Sequence, residues 1–474
     1  MVFTKARAGK QLGSKAQFAG EFRVEKFTII NHTGTKVSLE ESFVEMNIYE
    51  SVNQNCVSAD IIFLDTNDVV NLLPIVGNEF VQILISTPAT TKTGSIDYTK
   101  HTFVIKEVTA AEDAGQGKGV AMTLVTQEML TNSRVRVSQA YSGAYSEMVE
   151  KIFTSPNYLN SKKILNVEET SGSHNLVVPN MKPFKAISMI AQRSLSDRTT
   201  PTYVFYETTK GYHFRSLESL YEQSEIGTYT AGIGDDNANN ADAVGTNLYQ
   251  IEKHTFISNS DMLVKTMTGM FSSKIIVHDI YNKSFKTQTF SYQDDFEKGF
   301  DTDALGGKQG NPIFPTKSIL DDKENTVSDF SDAQVQVQST SGSGNIFATG
   351  TYPNARTPYG KSNPEQDLIT RRAKLGALQN GFTLNVTITG NTAIQAGDMM
   401  NVKIYKTGSK VGDMFDKRLS GRYMISKLRH YFSRRGDKKH RVIAELSKNS
   451  VGEAYPNNLP PSPKGTGGVK RLSA

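Results

Sequence analysis

Residues 77–85 read GNEFVQILI, and residues 397–405 read GDMMNVKIY; this recurring stretch decides the fold. Each copy starts at a glycine and continues as a strand with two alternating faces, one of them more apolar. Glycine suits a turn that needs positive φ before a strand. The pattern therefore predicts a tight turn and a half-buried strand at both places.

The similarity extends beyond these two strands. A second strand follows each copy after the same interval, FVIKEV from Phe103 and YMISKL from Tyr423. A charged hairpin that contains glycine then leads to VAMTLVTQ from Val120 and to VIAELSK from Val442. Aligning Val120 with Val442 leaves the second hairpin two residues longer. Duplication explains the repeat, and chance likeness between β-hairpins is the alternative.

Short segments rich in β-branched and aromatic residues surround both copies, whereas helical spacing occurs between them. YSEMVEKIF predicts a helix, and in NMKPFKAISMIAQRS Pro183 fits a first helical turn. TNDVVNLLP predicts a single helical turn inside the first strand region, and TYVFYET and GYHFRSL predict a hairpin. A further helix is predicted over 363–380, with Pro364 in its first turn.

The fold class predicted is mainly β with a smaller α+β part: two duplicated antiparallel β-barrel domains and a connector domain. The predicted domains, in chain order, are a flexible basic arm at 1–20, a first β-barrel at 21–140, an α+β connector at 141–247, a second β-barrel at 248–450 that contains an excursion over 301–362, and a flexible tail at 451–474.

Composition excludes several classes of protein. The 474 residues are 37% hydrophobic with 37 Gly and no Trp, which favours a β-rich soluble protein with many turns. No run approaches the ~18 apolar residues of a membrane helix, and the basic N-terminus lacks the core of a signal peptide. Cys56 is the single cysteine, so no intrachain disulfide forms and a reducing compartment is expected. The net charge of +5 does not by itself indicate a nucleic-acid binder.

No strong catalytic, cofactor or metal motif is present, and we expect no catalytic residue, cofactor or metal. The eight histidines lack metal-binding spacing, and AGQGKGV lies between two strands as a hairpin rather than as a phosphate loop. His430 and His440 could face each other across strands, but we interpret them as surface residues of a basic hairpin. Cys56 is interpreted as a small core residue.

One charge cluster stands out in the second strand region. The hairpin between Lys427 and Arg441 is strongly basic, whereas the corresponding hairpin from Glu107 to Gly119 is acidic. The candidate partner-interface residues are Arg434, Arg435, Lys438 and Lys439. A docking surface for an acidic protein or a neighbouring subunit is one interpretation, and a nucleic-acid contact or a solvated hairpin tip are the others.

The segment 176–221 resembles the central segment of baseplate hub proteins from contractile-tailed bacteriophages of the T-even type. The residues that carry the resemblance are Pro183, Phe184, Arg193, Ser194, Tyr203, Phe205, Tyr206, Gly211, Tyr212, Phe214, Arg215, Ser216 and Leu217, followed by Gly269, Lys274, Asp279 and Lys283 in GMFSSKIIVHDIYNKSFK. The resemblance covers about residues 140–300, and the excursion over 301–362 departs from the compact pattern of these hubs.

The resemblance implies a non-enzymatic subunit of the virion tail baseplate, assembled in the host cytoplasm. Its two tube-type barrels make a homotrimer into a pseudo-sixfold ring that joins the hexameric tail tube to the central spike. The implied partners are the tube, spike and tape measure proteins and neighbouring baseplate wedge proteins, while DNA passes through the lumen without specific binding or membrane insertion. The alternatives are a hub of another contractile injection system, which shares this fold, a tail-associated hydrolase and a nucleic-acid binder.

Overall fold

The computed structural model of the chain describes residues 19–452 with gaps. The gaps lie at 74, 76, 78, 88–93, 114–116, 199, 232–248, 259–261, 280–282, 293, 295, 297–300, 304–309, 314–328, 341–380, 406–414 and 437. The predicted arm at 1–20 and tail at 451–474 lie almost entirely outside the described residues, and so does the predicted helix at 363–380.

Residues 19–126, called the first half of the sheet below, form eight strands and one short helix in the part that the structure describes. The predicted helical turn is confirmed as α1, Val69–Leu72. The strands are β1 Arg23–Ile30, β2 Lys36–Ser38, β3 Phe43–Ser51, β4 Ser58–Asp65, β5 Phe80–Ser86, β6 Ser95–Asp97, β7 Phe103–Asp113 and β8 Lys118–Thr126.

A connector of mixed helices and strands follows. Its elements are α2 Gln127–Arg134, β9 Val137–Gly143, α3 Tyr145–Thr154, β10 Leu165–Val167, β11 His174–Met181, α4 Pro183–Ala191, β12 Tyr203–Thr208, β13 Gly211–Ser216 and α5 Leu217–Tyr221. Pro183 is the first helical residue of α4, as its sequence position predicts, and β12 and β13 form the predicted hairpin. One apolar face of α3 and one of α4 pack into a single connector core, so the amphipathic spacing of both helices is used for burial.

Residues 225–452, called the second half below, contain the remaining described elements. They are β14 Glu225–Ala231, β15 Ile251–Ser258, α6 Met262–Met267, β16 Ser272–Asp279, β17 Ser284–Ser291, β18 Asn311–Pro312, a 3₁₀ turn at Ser331–Ala333, β19 Val335–Thr340, β20 Phe382–Thr389, β21 Met399–Ile404, β22 Gly421–Ser433, β23 His440–Lys448 and β24 Ser450–Val451. The predicted excursion contributes two strands, because β18 pairs with β24 and β19 pairs in parallel with β16 beside β17. These parts of the excursion are therefore strands of small sheets rather than irregular loop.

Strands from both halves join one sheet of 14 strands. Its main path runs β15-β20-β23-β22-β3-β4-β8-β7-β5-β1-β2. Off this path, β21 pairs with β22, β14 pairs with β21, and β6 pairs with β5. No sheet of the described strands closes into a barrel, so the two barrels expected from the sequence are not seen as closed units. The edge of β22 is shared, because its first residues pair with β21 of the same half and Lys427–Ser433 pair with β3 of the other half.

The two halves nevertheless share strand order and irregularities. The series β3-β4-β8-β7-β5 has the same neighbours as β15-β20-β23-β22-β21. The β7–β8 register shifts between Ile105 and Glu107, and the β22–β23 register shifts between Ile425 and Lys427. A second matched shift follows the first residue of β3 and the first residue of β15. Bulges are specific features of a strand pair, so the two halves resemble each other in more than strand order.

The two glycines that open the repeat have the predicted backbone geometry. Gly77 has φ 88° and Gly397 has φ 90°. Strand pairing refines the alignment, because Phe80 faces Val104 as Met399 faces Met424. Phe80 therefore corresponds to Met399, and the first copy has one more residue between its glycine and its strand.

Candidate assembly interface at the junction of the two halves

The junction between the halves is an antiparallel pairing of β3 with β22. It extends from Ser51 opposite Lys427 to Glu45 opposite Ser433. Alternate residues of β3 point to opposite faces of the sheet. Met46 and Ile48 point into the apolar core, while Glu45, Asn47 and Tyr49 lie on the other face.

That other face is polar, and its charges are paired across strands. Arg429 donates from Nε to Asn47 Oδ1 over 2.8 Å, and its guanidinium lies over the rings of Tyr49 and Tyr431. Thr123 Oγ1 donates to Asp60 Oδ1 over 2.9 Å. Two ion pairs join Lys427 Nζ to Glu445 Oε2 at 2.9 Å and Arg441 Nε to Glu252 Oε2 at 3.0 Å. The polar face thus interleaves acidic and basic groups instead of presenting one sign of charge.

Glu50 fastens three parts of the chain at one end of the junction. Its carboxylate accepts the N–H of Thr209, from the β12–β13 turn, at 2.7 Å and the N–H of Ala396, just before β21, at 2.9 Å. Only 2% of the residue is exposed, and burial raises the pKa of Glu50 to about 7. Because a buried carboxylate satisfies two otherwise unpaired amides, this contact fixes the connector and the second half against β3.

A second buried cluster joins the first half to the connector. Lys163 Nζ lies 2.7 Å from Glu128 Oε2 and 2.5 Å from Glu207 Oε1. Glu207 also accepts the N–H of Val57 at 2.9 Å and the hydroxyl of Thr126 at 2.8 Å. Burial alone lowers the pKa of Lys163, but the two carboxylates outweigh it and the net pKa is raised. The group is a structural clamp, since all three charged side chains are almost fully buried.

The interpretation of His430 and His440 as surface residues is wrong. Both residues are fully buried, with His430 Nδ1 3.2 Å from His440 Nε2, and His440 stacks on Phe432. Burial lowers the pKa of His430 to about 4, and burial together with His430 holds the pKa of His440 well below its usual value. The cause is the strand phase: both rings point to the core side of β22 and β23, where Gly390 leaves the space that His440 fills.

The four candidate partner-interface residues lie together at the turn between β22 and β23, but they differ in exposure. Arg434 donates through its backbone N–H to Val44 O and through its side chain to Glu40 O, and its guanidinium covers the Phe43 ring. Lys439 is half-buried, whereas Arg435 and Lys438 are exposed. Only Arg435 and Lys438 therefore present their charged groups freely, and the interface role of this turn stays a prediction.

The described part of the chain offers little basis for a metal site, a membrane span or a reactive thiol. Within it, no three His, Cys, Asp or Glu side chains converge as a metal site requires. None of the described helices combines the length and hydropathy of a bilayer-spanning segment. Cys56 packs beside the connector core, and burial raises the pKa of its thiol to about 11, so the thiol is a weak nucleophile at neutral pH.

No sequence motif singles out Glu50, Glu128, Lys163 or Glu207. A usable signal existed for Glu50, because it follows Met46 and Ile48 on the core phase of its strand. Glu207 lies in YVFYET, where every neighbouring strand residue is apolar or buried. An acidic residue in such a phase must find buried partners.

Two strand edges equivalent to the junction are unpaired within the described chain. β15 pairs along its length with β20 on one side, and its exposed residues include Glu252, Lys253, His254 and Thr255. β7 pairs with β5 only at Phe103 and Val104, so its later residues have a strand partner only in β8. β15 occupies the place of β3 in the repeat, and β7 occupies the place of β22.

No protein-family model matches the sequence, and no curated protein matches it. Among solved structures, a tail protein from Neisseria meningitidis is 10% identical with a TM-score of 0.52, covering 91% of this chain and 98% of that one. A 43 kDa tail protein of prophage MuSo2 from Shewanella oneidensis is 7% identical with a TM-score of 0.49, covering 89% and 97%. A prophage tail protein from Listeria monocytogenes is 11% identical with a TM-score of 0.46, covering 90% and 95%. The chain shares the fold of the Neisseria tail protein over almost its whole length.

Proposed function

We propose that the protein is a non-enzymatic baseplate hub subunit of a phage tail and that it works as a homotrimeric, pseudo-sixfold ring. The observation that carries the proposal is the pairing of β3 with β22, combined with the free edges of β15 and β7. A contact between two repeated units, made once inside the chain, can be made again between chains. The fold shared with the Neisseria tail protein supports a place in a virion tail.

The ring follows from repeating one contact. Inside the chain, the β3 edge of the first half meets the β22 edge of the second half. The equivalent contact joins β15 of one copy to β7 of the next, which is a heterologous interface that closes when the rotation allows it. Three chains then supply six similar wall units, which reconciles a sixfold tube with a threefold spike.

In this ring the polar sheet face lines the bore. The apolar cores of the two halves lie on the opposite face. A wall with interleaved and paired charges holds phosphates weakly, because strong DNA binding needs many unpaired basic groups. Such a wall suits the passage of the tape measure protein and of DNA. The tail tube, the central spike and neighbouring wedge proteins are the proposed partners at the two rims and the outer wall, and the virion tail baseplate is the proposed location.

The edge contact can be tested with one backbone N–H. Val52 donates to Ser426 O, so in this strand the N–H groups of Glu50, Ile48 and Met46, spaced by two, also point toward β22. The residue of β15 equivalent to Met46 is His254. Proline at an edge strand is tolerated when its missing N–H faces outward, so His254→Pro blocks pairing with little effect on the monomer. His254→Gln is the matched control because it keeps the N–H.

Native mass spectrometry of the purified proteins reads the outcome. The wild type and His254→Gln are expected at about 157 kDa, three times the 52.2 kDa of one chain. His254→Pro is expected at the monomer mass with an unchanged melting temperature. A wild type that stays monomeric at every concentration contradicts the trimer, and a trimeric His254→Pro contradicts the proposed edge.

A further inference from the structure

We propose that α6 latches onto the neighbouring copy: Leu263 and Met267 of one chain cover Phe80 of the next. This inference rests on the proposed ring and names a contact outside the strand edges. Its occupant is a second copy of this chain. The corresponding place inside the chain has the same kind of cover.

Inside the chain, the residue that follows β3 helps to bury the start of β21. Val52 is 1% exposed and belongs to one apolar cluster with Met399 and Met424. The connector completes this cluster with Val204, Tyr206, Leu217, Leu220 and Tyr221. Met399, the first residue of β21, is thereby fully buried.

The equivalent place in the first half is open. Phe80, the first residue of β5, corresponds to Met399 through its pairing with Val104. Its exposed fraction is 36%, whereas that of Met399 is 0%. Both residues begin equivalent strands, so the difference in exposed fraction comes from the side chains that cover them. Phe80 is partly exposed to solvent, whereas Met399 lies inside an apolar cluster.

The ring contact brings the end of β15 to this open place. Ser258 ends β15 at the position that Glu50 holds near the end of β3. Glu50 reaches the turn before β21 through Ala396, so Ser258 of one copy is placed at the neighbour's turn around Gly77. The helix Met262–Met267 begins four residues after Ser258, which sets Leu263 beside the neighbour's Phe80 as Val52 is set beside Met399.

The helix after β15 exposes apolar side chains on one of its faces. α6 spans Met262–Met267, and Leu263 is 76% exposed and Met267 68% exposed. These two residues are four apart, so they share one face of the helix. Leucine and methionine exposed on one helical face are typical of a surface that is covered in an assembly. The helix lies only a few residues after the β15 edge, and this continuity with the ring contact selects a second copy as the occupant.

The contact also accounts for the position of the insertion. β3 and β4 are joined by a short turn, whereas their equivalents β15 and β20 are separated by the segment that contains α6 and the β17-β16-β19 sheet. Inside one chain, the connector supplies the cover over Met399 of the second half. In the ring, the insertion supplies the corresponding cover across the subunit boundary.

The test compares trimer dissociation in single variants, measured by native mass spectrometry over a concentration series. Leu263→Asp and Phe80→Asp are each expected to raise the trimer dissociation constant at least about tenfold, because each puts a charge into an apolar contact. Val177→Asp is the matched control, since Val177 is 68% exposed and belongs to β11 of the connector, which pairs with β9. Melting temperatures of the monomers show whether a variant has lost folding instead of assembly.

A swapped pair gives the sharper result. Phe80→Lys is measured alone and combined with Leu263→Asp, and the pair is expected to recover part of the affinity that each of these two single changes loses, which a general loss of folding does not do. If the wild type is trimeric and both single variants assemble as tightly as Val177→Asp, the latch is wrong while the ring stands. If the wild type is monomeric, the ring itself fails, so the two results are distinguishable.

Discussion

Single buried polar residues hold the two halves and the connector together. Glu50 satisfies two backbone amides from distant parts of the chain, and Lys163 is held between two carboxylates in the connector clamp. His430 and His440 fill the core side of the same junction. Buried groups of this kind stabilise one arrangement only when every partner is in place, so they make the relative position of the halves specific.

The raised pKa of Glu50 predicts a pH dependence of stability. Its ordinary pKa is 4.5 and its folded pKa is about 7, so folding favours the protonated form. That contribution is fully present below about pH 4.5 and is lost as the pH rises through 7. We expect the wild type to lose free energy of unfolding relative to Glu50→Gln between these values, by up to about 3 kcal/mol, in urea titrations.

The comparison with Glu50→Gln isolates this effect. His430 and His440 have lowered pKa values, so their contribution is lost in the opposite direction, as the pH falls below about 6.5, in both proteins. Glu41→Gln is the control, because Glu41 is exposed and its replacement is expected to leave the pH profile unchanged. A difference between wild type and Glu50→Gln that stays constant from pH 4.5 to 7 contradicts the assignment.

At the scale of elements, the paired glycine turns set both halves of the sheet. Gly77 and Gly397 share positive φ, but their surroundings differ. A Cβ at Gly397 would overlap the buried hydroxyl of Tyr206, whereas the nearest atom to a Cβ at Gly77 is Lys106 O at 3.6 Å. The connector therefore packs closely against one turn and not against the other.

Alanine at the two glycines is expected to separate backbone strain from this close packing. Gly77→Ala should cost about 1 kcal/mol, since positive φ is the only obstacle. Gly397→Ala should cost about 3 kcal/mol or more, because the Tyr206 ring must also move. Denaturant unfolding of both variants measures the difference, and equal losses would show that the connector does not constrain the second turn.

Local elements could be predicted from the sequence, whereas their joining could not. The short helix α1, the Pro183 start of α4 and the β12–β13 hairpin follow from spacing and turn chemistry, which act over a few residues. The repeat at Gly77 and Gly397 also gave the correct strands, with a displacement of one residue at Phe80. The pairing of β3 with β22 depends on residues hundreds of positions apart, and strand periodicity does not specify a partner. For the same reason, the sequence does not show that His430 and His440 point to the core side of their strands.

For the whole molecule, the turn between β22 and β23 is the proposed docking point for an acidic protein partner. Arg435→Glu combined with Lys438→Glu changes only exposed side chains, so the trimer and its melting temperature should be unaffected. Binding to the purified tail tube or spike protein should fall by about tenfold or more, as expected for charge reversal at a contact. Arg434 and Lys439 are left unchanged because they pack against the chain.

Two results would contradict this role of the turn. Unchanged binding to both tail partners would show that the turn is a solvated tip. An assembled ring with Arg435 and Lys438 around the bore would place the basic cluster where DNA passes. In that case, salt-dependent retardation of DNA by the wild type and its loss in the double variant would favour a nucleic-acid contact.

The most direct test of the central claim is electron microscopy of the purified protein viewed along the ring axis. The proposed ring predicts closed particles with threefold symmetry, an open bore and six similar wall units, two from each chain. Particles without a ring, or rings in which six chains each contribute one wall unit, would contradict the claim that the two halves of one chain alternate around the bore.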